Sequence, residues 1–360
     1  MNAEGTLEAT KAQIERIRVL KDSFGKSLII AAHHYQRNEI IALADYIGDS
    51  YRMAVEASRT DAEYIVICGV RFMAESAAIL AKSGQKVLIP DYGAGCPMAD
   101  MIDRAMAEEA LANIPRVSSR PVVPVAYMNS WADLKALTGE KDGSICTSGN
   151  ALKIARTYLD EGKSIFFMPD FNLGMNTANA LGLASDEVCL VDRNANLKKI
   201  NNSDSGDFSR ARMFLWDGFC HVHKTFTAAQ VADARKAFPD ARVIVHPECS
   251  SAVVALADES GSTETMQTII RESAPHSSWI IGTEGRFVER MASTFPDRNI
   301  HPLKTSYCHN MNRIDLANLE HTLSKLTTLI SVSPGERAFA AKALNAMVRI
   351  TEGSRTEGTK

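Results

Sequence analysis

Apolar and polar positions alternate in blocks along the chain. SLIIAA (27–32) and YIVICG (64–69) are short, continuous apolar runs of the kind that form strands buried on both faces of a parallel sheet. Between them Ile40, Ile41, Leu43 and Ala44 fall at helical spacing, which predicts an amphipathic helix. A further helical segment leads to a third strand, KVLIPD (86–91), just before Cys96. The same order returns further on: ARVIV (241–245), then Val253, Val254, Leu256 and Ala257, then SSWIIG (277–282), then NIHPL (299–303) before Cys308. His33 and His246, Asp45 and Asp258, Gly48 and Gly261, and Gly69 and Gly282 are each 213 positions apart, and the two cysteines 212. ALADYIGDS and ALADESGST are therefore one segment written twice, inside a βαβαβ repeat that closes on a cysteine.

A more diverged copy lies between them. VVPVAYMN (122–129) matches the first strand, and Tyr127 and Asn129 stand where the outer copies carry His33 with Tyr35 and His246 with Glu248. DGSICTSGNALKIA supplies a strand and a helix, SIFFMPD a third strand, and ARMFLWDGFC a last strand ending on Cys220. The expected architecture is α/β: three αβα units of three layers each, with short parallel sheets, related by a pseudo-threefold axis around a central active site. Such sheets bind ligands outside the carboxyl ends of their strands. The expected boundaries are 1–97, 98–220 with a polar insertion at 192–210, and 221–309. Met1 to Phe24 reads as an outer amphipathic helix on Ile14, Ile17 and Leu20. Closing helices are expected at Leu316–Leu329 and Arg337–Ile350, joined to the first unit, and the tail 351–360 is expected to be disordered.

Composition narrows the function classes. The formal charge of −3 on 360 residues gives no field suited to nucleic acid or an anionic membrane. No apolar run reaches the roughly eighteen residues of a spanning helix, and Met1–Lys26 lacks the apolar core of a signal peptide. A soluble cytoplasmic protein is expected. Seven scattered cysteines, an odd number, argue against a disulfide framework.

The polar residues at the strand ends carry the candidate chemistry. His33 and Tyr35, Tyr127 and Asn129, and His246 and Glu248 are spaced two apart, which on a strand puts both side chains on one side. His34 and Pro247 should then face away. Cys96, Cys220 and Cys308 lack close CxxC spacing, and spacing alone reads them as core thiols. Their equivalent places at the close of each repeat read instead as metal ligands, thiolates suiting iron–sulfur clusters or zinc. Cys68 and Cys146, inside apolar strands, and Cys189 are expected in the core, and Cys249 on an inner wall. Ser50, Ser148, Ser262 and Thr263 lie near helix starts, where hydroxyls cap helices and also help bind anions.

AHHYQRNEI, ADYIGDS, FMAESA, PDYGAGCPMADM, YMNS, CTSGNA, WDGFCHVHKTF, HPECSSAVVALAD and YCHNMNRIDL run in order from about Leu28 to Leu319. This ordered set resembles the quinolinate synthase family. The resemblance implies condensation of iminoaspartate with dihydroxyacetone phosphate to quinolinate, with loss of phosphate and two waters, on the aspartate route to NAD. It implies a [4Fe–4S] cluster on Cys96, Cys220 and Cys308, with one iron open as a Lewis acid, and a functional link to L-aspartate oxidase. His223 matches the family pattern and is expected to support the cluster loop; His221 lies beside it. The condensation and dehydrations need proton carriers, and Glu248 and Tyr35, with Tyr127, are the candidates. His33, His246 and Asn129 would orient substrate, and Ser50, Ser148, Ser262 and Thr263 would hold its anionic groups. Burial should raise the pKa of Glu248 toward neutrality.

Other classes remain open on the residues alone. A zinc lyase or hydrolase could use the same three cysteines, and a non-catalytic iron–sulfur sensor would share the ligands. A nicotinamide-dependent oxidoreductase is disfavoured because no GxGxxG follows a first strand; Gly93 and Gly95 follow a third.

Overall fold

The computed structural model of the chain describes residues 3–200 and 207–353. Three sheets carry the repeat. The first holds β1 (Leu28–His33), β2 (Tyr46–Gly48), β3 (Tyr64–Cys68) and β4 (Lys86–Leu88), all parallel in the order β2-β1-β3-β4. Its helices are α1 (Ala3–Phe24), α2 (Asn38–Ile41), α3 (Ser50–Arg59) and α4 (Arg71–Leu80). The second sheet runs through β5 (Val122–Tyr127), β6 (Ser144–Cys146), β7 (Ser164–Met168), β8 (Val188–Val191), β9 (Leu197–Lys199) and β10 (Met213–Trp216). Its order is β6-β5-β7-β10-β8-β9, parallel except between β8 and β9. With it come α5 (Arg104–Asn113), α6 (Ala132–Glu140), α7 (Ala151–Asp160) and α8 (Phe171–Ala180). The third sheet is β11 (Arg242–Val245), β12 (Glu259–Ser260), β13 (Ser278–Gly282) and β14 (Asn299–Pro302), parallel in the order β12-β11-β13-β14. The chain adds α9 (Ala228–Ala237), α10 (Ser251–Val254), α11 (Thr263–Glu272), α12 (Gly285–Thr294), α13 (Leu316–Lys325) and α14 (Pro334–Glu352).

Each sheet thus contains four strands in one topology, second-first-third-fourth. The second sheet adds β8 and β9 before its fourth strand, and β9 lies within the expected insertion; residues 201–206 of that insertion fall outside the described residues. The central strands are apolar throughout because both faces are covered: Ile65 to Cys68 and Ile165 to Met168 are fully buried.

The segment written twice is not the long helix that its spacing predicts. α2 and α10 are single turns, each followed by a short edge strand, β2 or β12. The repeated aspartate is the cause. Asp45 donates its backbone N–H to the Ile30 carbonyl at 2.8 Å, and its Oδ2 accepts the Ile30 N–H at 2.8 Å. Asp258 makes the same pair with Val243, at 2.9 and 2.7 Å. One residue serves both backbone groups of a first-strand position, which ends the helix and lays the next residues along the sheet. The repeated glycines allow the following helix to start close by. A Cβ at Gly48 would sit 2.8 Å from Arg52 Cβ, and at Gly261 2.6 Å from Thr265 Cγ2.

Packing groups the chain into two compact bodies. One comprises Met1–Cys96, Glu284–Pro296 and Thr305–Val332; the other Pro97–Thr283, Asp297–Lys304 and the chain from Ser333. In the first, α1 packs on α13 with Ile17 fully buried, and Arg16 Nε meets Glu320 Oε1 at 2.7 Å. The second closing helix, which the sequence reading assigns to the first unit, does not join that body. α14 packs on α6 in the second, because Gly139 lets the backbones meet: a Cβ there would lie 1.9 Å from the Phe339 carbonyl oxygen. Thr351 and Glu352 complete α14, and Thr351 accepts hydrogen bonds from Asn150 at 2.9 Å and Lys153 at 2.6 Å. These residues fall in the stretch expected to be disordered; 354–360 lie outside the described residues.

Asp258→Ala should lower the unfolding free energy by about 1–3 kcal/mol, the range for leaving a buried amide unsatisfied. The backbone N–H of Val243 and the neighbouring Arg235 hold the Asp258 carboxyl below its usual range against the opposing effect of burial. Its contribution is therefore full above the unfolded pKa of ~4 and lost as pH falls through the lower folded value. Urea melts of wild type and variant at pH 7 and pH 3 check both statements; equal midpoints at pH 7 would refute them.

Candidate active site

The polar pairs at the strand ends are made by turns rather than by the pleat. β1 ends on His33, and the chain turns at once, with the Gln36 N–H on the His33 carbonyl at 3.0 Å and the Tyr35 N–H on His33 Nδ1 at 3.1 Å. After β11 the Cys249 N–H meets the His246 carbonyl at 2.9 Å and the Glu248 N–H meets His246 Nδ1 at 3.3 Å. A ring nitrogen that accepts a backbone N–H carries no proton, so both neutral imidazoles hold theirs on Nε2. The His33 and Tyr35 rings touch edge to face at 4.6 Å. In the middle copy Tyr127 ends β5, and Asn129 follows with a buried Oδ1 that has no hydrogen-bond partner among the described residues. His34, between the pair members, is buried against Phe287, with Arg290 at its Nδ1.

The second body gathers a buried polar cluster. His223 Nδ1 lies 2.6 Å from Glu248 Oε2, and His223 Nε2 3.0 Å from Thr283 Oγ1. The His246 ring stacks on His223 at 4.3 Å and 15°. Asn176, on α8, fixes the turn that carries Glu248 by donating to the Pro247 and Cys249 carbonyls, both at 2.8 Å. The ligand atoms of Cys220, His223 and Glu248 all lie within 4.8 Å of one another.

Burial alone would raise the pKa of Glu248, as the sequence reading expects. The structure reverses the direction. Desolvation is opposed by the adjacent His223 and His246 and by hydrogen bonding to His223 and Tyr127, and the net shift is downward. His246 is pushed down to about 3 by burial and by its neighbour His223, with Glu248 pulling the other way. Asp170, at the start of α8, is raised well above the carboxylate range by burial and by the charge on Glu248. Two close buried carboxylates do not both ionise; the one joined to His223 keeps the charge.

The first body holds His33, Tyr35, Ser50, Cys96 and Cys308. Its two cysteine loops are tied together: Asn310 Nδ2 donates to the Gly95 carbonyl at 2.6 Å, and Arg313 Nε meets Asp91 Oδ2 at 3.0 Å. No disulfide joins any of the seven cysteines. Cys68, Cys146, Cys189 and Cys249 are buried, as expected for core thiols. Burial pushes Cys68 and Cys189 up to about 12, and Cys146 and Cys249 are raised as well. Cys96, Cys220 and Cys308 are the three that are only half-buried.

Of the helix-start hydroxyls, Ser262 caps α11 by accepting the Thr265 N–H at 3.3 Å, with Thr263 next to it and both 2% exposed. Asp49, not Ser50, caps α3, and Ser148 lies in the turn before α7. That turn sits beside Ser262: a Cβ on Gly149 would be 3.4 Å from Ser262 Oγ. Thr283, Asn176 and Asp170 are additions that single residues do not announce, since each acts through a neighbour distant in sequence. Asp170 alone had a signal, the PD dipeptide that closes a strand in two copies.

A family model described as Quinolinate synthetase A protein matches residues 15–349. The chain belongs to this family. It is 41% identical over 343 residues to the quinolinate synthase of Geobacillus sp. (strain WCH70), covering 93% of this chain and 92% of that one. To the quinolinate synthase of Bacillus subtilis (strain 168) it is 38% identical over 360 residues, 98% and 97% of the two chains. The quinolinate synthetase A family is one of enzymes. No helix among the described residues is long and apolar enough to cross a membrane.

The His246 ring should stay neutral, with its proton on Nε2, well below the ordinary histidine pKa of 6.5 and down toward about 3. Nitrogen NMR of labelled histidine across pH 4–8 reads this directly; a His246 that titrates near pH ~6.5 would contradict the buried cluster.

Proposed function

We propose that the chain condenses iminoaspartate with dihydroxyacetone phosphate, releasing phosphate and two waters, to give quinolinate for NAD synthesis from aspartate. The observation that carries this reading is the buried chain of Tyr127, Glu248, His223 and Thr283 beside Cys220, found in a member of the quinolinate synthetase A family. Each dehydration removes a proton at one atom and delivers one to a leaving hydroxyl, and such a chain holds and passes protons. His223, bonded to the ionised Glu248 and to Thr283, takes and returns the proton, so the pair rather than Glu248 alone carries the acid–base role. Tyr127 and Tyr35 offer further hydroxyls, and His33 and His246, each with its Nε2–H outward from a fixed turn, orient polar groups of the substrate. Asn129 Oδ1 is an acceptor awaiting a donor, which a substrate amine or hydroxyl would supply.

Substrate anions have their place at the helix starts. Ser262, Thr263 and Ser148, with the amides of α11 and α7, and Ser50 on α3, would hold carboxylates and phosphate without needing many cationic side chains. Iminoaspartate is an imine prone to hydrolysis, so an oxidation of L-aspartate, the reaction of L-aspartate oxidase, must deliver it.

The residues fit a [4Fe–4S] cluster. Three half-buried thiols, each closing one repeat, are soft donors, and the four deeply buried ones have raised pKa values. Cys96, Cys220 and Cys308 would hold it, and when bound its iron without a cysteine would supply Lewis acidity toward a substrate oxygen or nitrogen. A zinc site on Cys220, His223 and Glu248 is less well supported. Both ring nitrogens of His223 are already committed, to Glu248 and Thr283.

Cys96→Ser, Cys220→Ser and Cys308→Ser should each lose the brown chromophore after anaerobic purification, whereas Cys68→Ser and Cys189→Ser should keep it. Iron and sulfide counting decides this, and zinc in place of iron would favour a lyase or hydrolase instead. Glu248→Gln keeps size but cannot exchange the proton. It should retain the cluster and slow quinolinate formation by about a hundredfold or more, the low end for losing a general base; near-normal turnover would remove Glu248 from the mechanism.

A further inference from the structure

The three cysteine loops are held by the same backbone contact. In each repeat the first residue of the helix that follows the third strand of the sheet order gives its N–H to the carbonyl two residues before the cysteine. Arg71 donates to Ala94 at 2.7 Å, Phe171 to Gly218 at 2.9 Å, and Gly285 to Ser306 at 2.7 Å. The acceptors precede Cys96, Cys220 and Cys308 respectively. Backbone contacts of this kind are indifferent to side chain. The residue just before each helix is not: it is Val70, Asp170 and Glu284.

Glu284 is fully buried and does two things. Its Oε2 caps α12 by accepting the N–H groups of Arg286 at 2.8 Å and Phe287 at 3.4 Å. Its Oε1 accepts the backbone N–H of Cys308 itself at 3.2 Å. Capping accounts for the first pair and not for the last. Asp170, at the matching place, caps α8: its Oδ1 accepts the Leu173 N–H at 2.7 Å. Val70 offers no side-chain acceptor.

We propose that Glu284 is a positioning residue for the metal ligand Cys308, fixing that cysteine through its own backbone N–H. The inference rests on the reading of these cysteines as cluster ligands. A cysteine whose amide is held by a buried carboxylate has its Cα and the direction of its Cα–Cβ bond fixed, so it would present its sulfur to a metal from one place. Second-layer partners of metal ligands act in this way, and their loss typically costs about 10- to 100-fold in metal affinity.

Glu284→Asp separates the two roles. Aspartate is as good a helix cap, but one methylene shorter, and it loses reach to Cys308. Glu284→Gln keeps the length with a single oxygen, which cannot serve both Cys308 and the α12 amides. The experiment measures iron release to a ferrous chelator from anaerobic holoprotein, the visible circular dichroism of the cluster, and the melting temperature of the cluster-free protein. Glu284→Asp and Glu284→Gln should release iron about tenfold faster or more, with an altered cluster spectrum. The apoprotein of Glu284→Asp should melt close to wild type. Val70→Ala should release iron at the wild-type rate whatever its melting point. Wild-type release rates and spectra in both Glu284 variants would overturn the proposal, as would release that merely follows apoprotein melting. A wild-type protein that binds no iron–sulfur cluster would overturn the reading of the cysteines, and this inference with it.

Discussion

Taking a carboxylate out of water costs several kcal/mol unless its partners restore what water supplied. Glu248, 2% exposed, imposes that requirement on the second body. It is met by elements far apart in sequence: His223 from the loop after β10, His246 from the same turn as Glu248, and Tyr127 from the end of β5. Thr283, after β13, in turn satisfies the far nitrogen of His223, and Asn176 on α8 holds the turn itself. The ends of β5, β10, β11 and β13 are therefore committed to one charge. Moving any of them would leave an ion without a partner, which is why short strands here must end where they do.

The same charge divides labour between two acids. Had Glu248 stood alone, burial would have made it a weak acid near neutrality. With His223 at 2.6 Å its own pKa moves down instead, while burial and the charge it keeps push the neighbouring Asp170 up. Environment, rather than residue type, sets the roles.

Much of this was legible in the chain because the repeat is read by offset. His33 and His246, Asp45 and Asp258, and Gly48 and Gly261 share one spacing, and each pair proves to have one physical task in both places. The strands and the three half-buried cysteines followed from the same reasoning. Periodicity misread the segment between His33 and Ser50, since a helical pattern of apolar residues does not reveal an aspartate that turns its own backbone into a sheet edge. The position of α14 was hidden for a different reason. What decides it is the missing side chain of Gly139, and an isolated glycine inside a helix looks like a weak point rather than a docking surface. The direction of the Glu248 shift was equally out of reach, because it depends on His223, which is 25 positions away and has no counterpart in the repeat pattern.

The three strands that lead to the cysteines are not equally anchored. β10 is flanked by β7 and β8, so the insertion that lengthens the second sheet also makes its fourth strand an interior one. β4 pairs with β3 and gains a short antiparallel bridge from Leu88 to Leu329. β14 pairs with β13 alone among the described residues. Local opening starts where the fewest backbone bonds must break, so fraying should begin at β14 and reach β10 last. The loop beyond the most easily frayed strand is the one in which a buried carboxylate closes a hydrogen bond on the cysteine amide, that of Cys308.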